Sequence, residues 1–240
     1  MKNAYWIAIG LAGLVWTLPG IGQPKQVAAG NQQWLHYFGR VDLSEKWSWF
    51  NDGGFRFKEG FGQKSQYLVR TAISYHLHPQ LRLGIGAGHW GTYSSGKLDQ
   101  LEYRPHQELH LSQEVGKTII GHRLRVEERW FARIGNGSDA NPFSFRFRYR
   151  LQLRLSLFPI SASTPDRKVI LALSDELFIN AGKHIVYNFF DQNRIMATFL
   201  TPLSDHIFLG LTYFWRFSSE NEAGKFRRED IGRFSLRQSF

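Results

Sequence analysis

The chain of 240 residues contains no cysteine, and this absence removes several kinds of chemistry. Without a thiol there is no disulfide framework, no iron–sulfur cluster and no cysteine nucleophile, and a zinc site would have only histidines and carboxylates as ligands. The chain also lacks any stretch that resembles a linker between two domains. We therefore expect a single domain after the N-terminal segment.

Long apolar runs are also scarce. The uncharged run at residues 4–18 follows a lysine and ends beside small residues. It is shorter than the roughly 20 residues that a membrane-spanning helix needs, and its layout is typical of a helical signal peptide. We predict a signal peptide at residues 1–22, cleaved after Gly22 or, as second choice, after Ala29. The exported domain would then occupy residues 23–240.

What the chain has in abundance is alternation of apolar and polar residues, most clearly from Ser144 to Phe158 (SFRFRYRLQLRLSLF). Aromatic residues and leucines fall on one face, and arginines fall on the other, because successive side chains of a strand alternate. On a helix the arginines would surround the axis and leave no apolar stripe. The pattern predicts a strand, either of a membrane barrel or of a soluble sandwich with an apolar core.

Segments of this kind recur along the chain, and the predicted fold class is all-β. We count eleven of them, at residues 34–41, 47–57, 67–77, 81–92, 103–112, 118–131, 144–158, 169–179, 194–201, 207–217 and 231–240. In an up-and-down antiparallel barrel, eleven strands would bring the two end strands together in parallel, whereas bacterial barrels prefer even numbers. We expect 10–12 strands and favour twelve, with an extra strand at residues 26–33. Ten strands would leave the segment at 34–41 outside the wall.

Three features favour a transmembrane barrel over a sandwich. The segments have about ten residues, near the 9–11 that cross a membrane at a tilt, whereas strands of soluble folds peak near five or six. Their connections alternate between tight turns and long polar loops. The chain ends on Phe240, with Phe234 and Leu236 on the same face. That ending resembles the C-terminal assembly signal of outer-membrane barrels, although Gln238 stands where an aromatic residue is usual.

In such a barrel the apolar face meets lipid, because a charge facing lipid at the midplane costs about 2–4 kcal/mol. The polar face then points inward, and closure of the wall pairs every backbone group. Two acidic residues, Glu128 and Asp175, fall on the apolar face. Either they lie near a membrane interface, or a bulge near Ser174 and Asp175 shifts the alternation there.

Several short motifs occur in a characteristic order. They are LSEKW at 43–47, RPHQEL at 104–109, RLRVEERW at 123–130, DELFIN at 175–180 and FFDQNR at 189–194, followed by the terminal phenylalanine. Together they resemble a bacterial family of outer-membrane barrels catalogued as a domain of unknown function, and the resemblance covers nearly the whole mature chain. It implies a barrel of this size in a Gram-negative outer membrane, and it brings no established activity or catalytic residue.

The inward face is rich in arginine. The residues expected to line the lumen are Arg70, Arg123, Arg125, Glu127, Arg129, Arg146, Arg148, Arg150, Arg154, Glu176, Arg194 and Arg216. Arginines outnumber carboxylates in this set, and burying so many charges without partners would be prohibitive. Two outcomes stay open: a structural barrel filled by ion pairs, or a hydrated, porin-like narrow pore that favours anions.

One group of residues has the ingredients of catalysis. Glu108, His110 and Ser112 share one strand face, as a lipid-modifying hydrolase of the outer membrane would require, and this is the alternative function. Residues two apart on a strand are ~6–7 Å apart, which is beyond a hydrogen bond unless the side chains lean together. His76 and His78 share a face without a third ligand. We assign no catalytic residue and expect no metal and no cofactor.

The net charge of +10 raises the question of a nucleic-acid partner. Export and the two-faced pattern argue against one, because the charges lie on strand faces and not in a basic tail. The expected partners are outer-membrane lipid and lipopolysaccharide, the barrel-assembly machinery through the last strand, and small anions. The expected location is the outer membrane of a Gram-negative bacterium, and the oligomeric state stays open.

Overall fold

The computed structural model describes residues 25–134 and 142–240, which form one closed β-barrel of eleven strands without a helix. The predicted signal peptide lies outside the described residues. No helix in the described part of the chain is long and apolar enough to cross a membrane. The strands are β1 (Gln26–Asp42), β2 (Trp47–Lys58), β3 (Gln63–His78), β4 (Leu81–Ser94), β5 (Lys97–Val115), β6 (Thr118–Arg133), β7 (Phe143–Pro159), β8 (Lys168–Ala181), β9 (Phe190–Pro202), β10 (Ile207–Ser219) and β11 (Lys225–Ser239).

Each strand pairs antiparallel with its neighbours in the chain, and β1 closes the barrel by pairing in parallel with β11, from Gln26 opposite Lys225 to Arg40 opposite Ser239. The all-β barrel prediction is confirmed, but the favoured count of twelve strands is wrong. Residues 26–33 form no separate strand because the ladder with β11 runs through them into the rest of β1 without a break.

The strands are longer than predicted, from 12 residues in β2 to 19 in β5. The polar residues assigned to loops continue the ladder instead. The connection between the predicted segments at 81–92 and 103–112, which is polar and was expected to be a long loop, is a two-residue turn in which Ser95 and Gly96 both have positive φ (48° and 77°). Two successive residues of this kind match the twist of a tight hairpin. The expected contrast between short turns and long loops is therefore weak.

The two ends of the barrel are named here by their connections. The turn rim carries residues 43–46, 79–80, 116–117, 160–167 and 203–206 together with Phe240; the loop rim carries residues 59–62, 95–96, 134, 142, 182–189 and 220–224. At the turn rim, Arg167 Nε donates to Asp205 Oδ1 at 2.8 Å. This hydrogen bond lowers the pKa of the Asp205 carboxyl below its ordinary value.

The outer surface has an aliphatic belt between two aromatic groups. The belt includes Val69, Ile85 (67% exposed), Leu124, Ile195 and Leu211. The aromatic group at the loop rim contains paired rings from four strands, Trp130 with Phe143, Trp215 with Phe217, and Phe217 with Phe226. At the turn rim, Trp47 packs on Tyr75 at 4.8 Å between ring centres.

The two acidic residues on the outer face need no bulge. The ladders of β8 with β7 and β9 run without a shift through Ser174 and Asp175, so the alternative of a bulge there is wrong. Asp175 faces outward, where its Oδ1 accepts a hydrogen bond from Asn193 at 2.5 Å. Glu128 accepts one from Gln107 at 3.4 Å. Neighbouring side-chain amides therefore satisfy both carboxylates.

Inside the barrel, large side chains from β1, β8 and β10 are almost completely buried. Trp34 is 2% exposed, Phe178 0% and Phe214 1%, and the rings of Trp34 and Phe214 lie 4.9 Å apart. Glycines on β4 provide the space for further large side chains inside the barrel. A Cβ on Gly88 would lie 2.3 Å from the Trp90 ring, so only glycine permits the buried indole at this position.

Candidate functional site: the charged interior

A continuous ion-pair network crosses β5, β6, β7 and β8 at mid-height. At its centre is Glu127, which is 0% exposed. Arg146 reaches it from β7 through Nη2 at 2.5 Å, and Arg148 contacts its other oxygen. Arg125, on the same strand as Glu127, lies 3.6 Å away. Three guanidinium groups thus surround one carboxylate, which keeps a buried acid charged in a region that excludes water.

The network extends in both directions from Glu127. Arg148 also donates to Glu176 Oε1 from Nη2 at 2.7 Å, and Arg123 donates to the same oxygen at 2.5 Å. On the other side, Arg125 Nη2 donates to Glu108 Oε2 at 2.5 Å. Arginines on alternating positions of β6 and β7 therefore connect three buried or nearly buried carboxylates into one chain.

Further ion pairs surround this network on the rest of the wall. Arg70 pairs with Asp52, Arg216 with Glu229, and Arg104 and Arg129 both with Glu102. His36 Nε2 lies 3.1 Å from Asp52 Oδ2. Asp191 reaches Arg146 at 3.1 Å because the register shift between Phe178 and Ile179 turns this residue inward.

Several of the interior arginines stack on aromatic rings. The guanidinium Cζ of Arg148 lies 4.4 Å from the centre of the Phe178 ring, and that of Arg194 lies 4.5 Å from it. Arg56 stacks on Trp34 at 4.0 Å, and Arg104 stacks on Trp90 at 3.8 Å. A stacked guanidinium keeps its N–H groups free in the plane, so these contacts pack the interior without using the donors.

The structure brings most of the predicted inward residues together. Arg123, Arg125, Glu127, Arg146, Arg148 and Glu176 belong to the network, and Arg70, Arg129 and Arg216 pair with carboxylates beside it. Arg150, Arg154 and Arg194 form no ion pair with any described residue. The carboxylates Asp52, Glu102, Asp191 and Glu229 were not among the predicted site residues. Glu102 and Glu229 lie just outside the predicted segments. Extending the alternation of inward and outward side chains beyond the segment ends would have placed both carboxylates on the inward face.

The candidate catalytic residues line a cavity of about 570 Å³ at the turn rim. His110 Nε2 lies 2.9 Å from Glu108 Oε1. Within the described residues, Ser112 makes no side-chain hydrogen bond to either of them. The site therefore contains a carboxylate–imidazole pair without a hydroxyl in contact.

One serine–histidine contact that was not predicted lies between β2 and β3. Ser48 Oγ lies 3.0 Å from His76 Nε2 and donates to Asp42 Oδ1 at 2.7 Å. Because the carboxylate holds the hydroxyl proton and the serine is buried, this arrangement lacks the order of a catalytic triad. No cluster of three or more metal-ligating side chains occurs in the part of the chain that the structure describes.

The fold and the interior define a class: an all-β closed barrel with an ion-paired core and an apolar outer surface. The chain belongs to the family described as Protein of unknown function (DUF2490), whose model matches residues 31–227. The resemblance seen in the sequence motifs is thereby confirmed. A comparison with curated proteins returns no match.

Two solved structures are similar to the chain, both of mutants of the ferric enterobactin receptor from Pseudomonas aeruginosa. Each is 13% identical, with a TM-score of 0.30. The alignments cover 72% and 74% of this chain but only 35% of each receptor chain, so the chain spans about a third of the receptor's length.

Proposed function

We propose that the chain is a bacterial outer-membrane barrel whose interior is filled, so that it forms a structural barrel without a continuous pore. The outer surface supports the membrane location. An exposed aliphatic belt between two aromatic groups is the arrangement by which barrels fit a lipid bilayer. A soluble protein would have to leave this whole belt in water.

The observation that carries the closed-barrel proposal is the filling of the half of the interior toward the loop rim. Trp34, Trp90, Phe178 and Phe214 are each at most 3% exposed, and an arginine stacks on each of these four rings. The cavity at the turn rim reaches inward as far as Arg70 and stops there, within the described residues. An ion crossing from rim to rim would have to displace this packed layer.

Single-channel recording in planar bilayers tests this proposal. We expect purified protein, folded as judged by a heat-modifiable gel mobility, to give no conductance steps. Reproducible anion-selective steps would overturn the closed barrel and establish the narrow pore instead. Liposome swelling with small sugars is an independent test of whether the barrel contains an open pore.

Export and orientation are part of the proposal. Residues 1–22 would act as the signal peptide, and Phe234, Leu236 and Phe240 would present the assembly signal, since all three side chains are exposed on the outer face or at the turn rim. The turn rim would then face the periplasm. N-terminal sequencing of protein from outer-membrane fractions tests this; we expect it to start at Gln23. An uncleaved protein in the cytoplasm would contradict export.

A lipid-modifying hydrolase is the second candidate, supported by the contact between Glu108 and His110 at the cavity wall. If His110 acts as a base on the Ser112 hydroxyl, expression should change lipid A or phospholipid, and Ser112→Ala should abolish the change. Identical lipid profiles for the parent and the variant would eliminate this candidate.

A further inference from the structure

The cavity at the turn rim contains more positive charge than the protein itself neutralises. Eight arginines and only two acidic residues line it. Four of the arginines have carboxylate partners: Arg40 with Asp42, Arg70 with Asp52, Arg123 with Glu176 and Arg125 with Glu108. The other four, Arg82, Arg150, Arg154 and Arg237, form no ion pair with any described residue.

These four arginines, which we call the basin arginines, approach the cavity from separate parts of the wall. Arg82 lies on β4, Arg150 and Arg154 on β7, and Arg237 on β11. Residues on β4 and β11 are separated by β1, β2 and β3 around the barrel. Like charges that converge on one space repel one another, so the protein alone gives no reason to place four of them there.

Two of the basin arginines are held in position by aromatic rings. Arg82 Cζ lies 4.7 Å from the centre of the Phe50 ring, and Arg237 Cζ lies 4.6 Å from that of Phe38. Their Nε atoms are buried and donate to no acceptor among the described residues. A buried guanidinium donor without an acceptor is costly, and a bound oxyanion would satisfy it in the geometry that arginine prefers.

We propose that this cavity is a binding site for a multiply charged oxyanion of the phosphate class, held by the basin arginines. A phosphate group carries about −1.5 to −2 charges at neutral pH, so two such groups match four guanidinium ions. The volume of about 570 Å³ accommodates a molecule larger than inorganic phosphate. The site does not depend on the membrane location or on closure of the barrel.

The phosphate can belong to a soluble molecule or to a lipid headgroup. A smaller cavity of about 170 Å³ shares Arg154 and Arg237 with the larger one and is also lined by Ile170 and Leu200. A short apolar chain attached to the phosphate would fit beside these side chains. The two sources have the same anionic group and differ only in the use of this smaller cavity.

Isothermal titration calorimetry on the full barrel in a neutral detergent tests the site, with inorganic pyrophosphate and dihexanoylphosphatidic acid as probes. We expect at least one probe to bind, and the Arg154→Gln and Arg237→Gln double variant to weaken its binding by at least tenfold, because each arginine supplies charge-assisted hydrogen bonds. Preferential binding of pyrophosphate assigns a soluble ligand, and preferential binding of the lipid assigns a headgroup. Absence of binding for both probes overturns the proposal.

Two controls separate this site from general electrostatic attraction. Arg228→Gln removes an exposed arginine at the loop end of β11, and Arg194→Gln removes an interior arginine outside the cavity. Both should bind the probes like the parent. If they weaken binding as much as the double variant, or if sulfate binds as tightly as pyrophosphate, a specific phosphate site is excluded.

The stability of the ligand-free protein tests the same site without either probe. Neutralising Arg154 and Arg237 relieves repulsion between unpaired charges, so the double variant should unfold at a higher urea concentration than the parent. Arg125→Gln, which removes the partner of Glu108, should unfold at a lower one. Destabilisation by the double variant would show that these arginines serve the fold, and would count against the site. Conductance recorded on the same preparation tests the closed barrel separately.

Discussion

Arg148 joins two buried carboxylates on different strands: its guanidinium contacts Glu127 Oε1 through Nη1 and Glu176 Oε1 through Nη2, the latter at 2.7 Å. Neither carboxylate could stay charged in this interior without such a partner, and the arginine could not stay buried without them. The network therefore acts as a unit, and the loss of one member should affect the others.

Replacing Glu127 with glutamine should lower the free energy of unfolding by about 3–5 kcal/mol, because Arg146 and Arg148 would lose their shared carboxylate inside the barrel. Urea unfolding in detergent, followed by tryptophan fluorescence, measures this. Glu220→Gln is the matched control, since its pair with Arg227 is partly exposed and should contribute less than about 1 kcal/mol. Equal losses in the two variants would show that the network does not stabilise the fold.

Trp34→Ala should both destabilise the barrel and open it. The indole packs on Phe214, stacks on Arg56 and donates from Nε1 to Gln32 Oε1 at 2.8 Å. Removing a buried ring of this size costs about 3–5 kcal/mol. In planar bilayers we expect current through the variant where the parent is silent, and no current through Trp47→Ala, which changes the outer surface. A silent but folded Trp34→Ala protein would mean that other groups close the interior.

Asp175→Asn should stabilise the protein in lipid bilayers by about 1 kcal/mol, because a carboxylate facing lipid costs more than an amide. The substitution keeps an oxygen that can accept the hydrogen bond from Asn193. Unfolding in vesicles measures the effect. Asp166→Asn, in a connection at the turn rim, is the control and should leave the stability unchanged. If both variants behave alike, Asp175 lies outside the lipid region.

Parallel closure can be tested with cysteines, since the chain has none of its own. Gln33 and Gly232 are register partners on β1 and β11, and a Cβ on Gly232 meets no atom within 4 Å. Paired strands are about 4.8 Å apart, close enough for a disulfide. Gln33→Cys with Gly232→Cys should therefore cross-link under mild oxidation and migrate faster on a denaturing, non-reducing gel.

The control pair for this experiment is Gln33→Cys with Leu236→Cys, which places the second cysteine four residues, or roughly 13 Å, further along β11. It should stay reduced. A cross-link in the control and none in the register pair would indicate a different register between β1 and β11, and the absence of a cross-link in both pairs would indicate that an additional strand separates them.

Much of the wall could be predicted from the sequence because alternation reports local geometry. The arginines at 146, 148, 150 and 154 indicate the phase of β7 without any other information. The strand ends were less predictable, since the polar residues Lys97 and Asp99 continue β5 above the apolar belt. Parallel closure is a property of the whole barrel, and no local pattern in residues 26–33 distinguishes a separate strand from the start of β1.

The ion-pair partners were only partly predictable. Arg150 lies opposite Glu176 in the ladder, yet Glu176 binds Arg123 and Arg148 instead. Which arginine reaches a carboxylate depends on the tilt of the strands and on the rings beside them, and neither is visible in the sequence. The same holds for the stacking of Arg194 on Phe178 from the next strand.

The odd number of strands has a consequence for topology mapping. Because β1 and β11 run in the same direction, Gln26 lies at the loop rim and Phe240 at the turn rim. An epitope inserted just before Gln26 and another placed after Phe240 would therefore emerge on opposite sides of the bilayer. In an even-stranded barrel both would emerge on the same side. Antibody labelling of intact and permeabilised cells would thus determine strand parity in living bacteria.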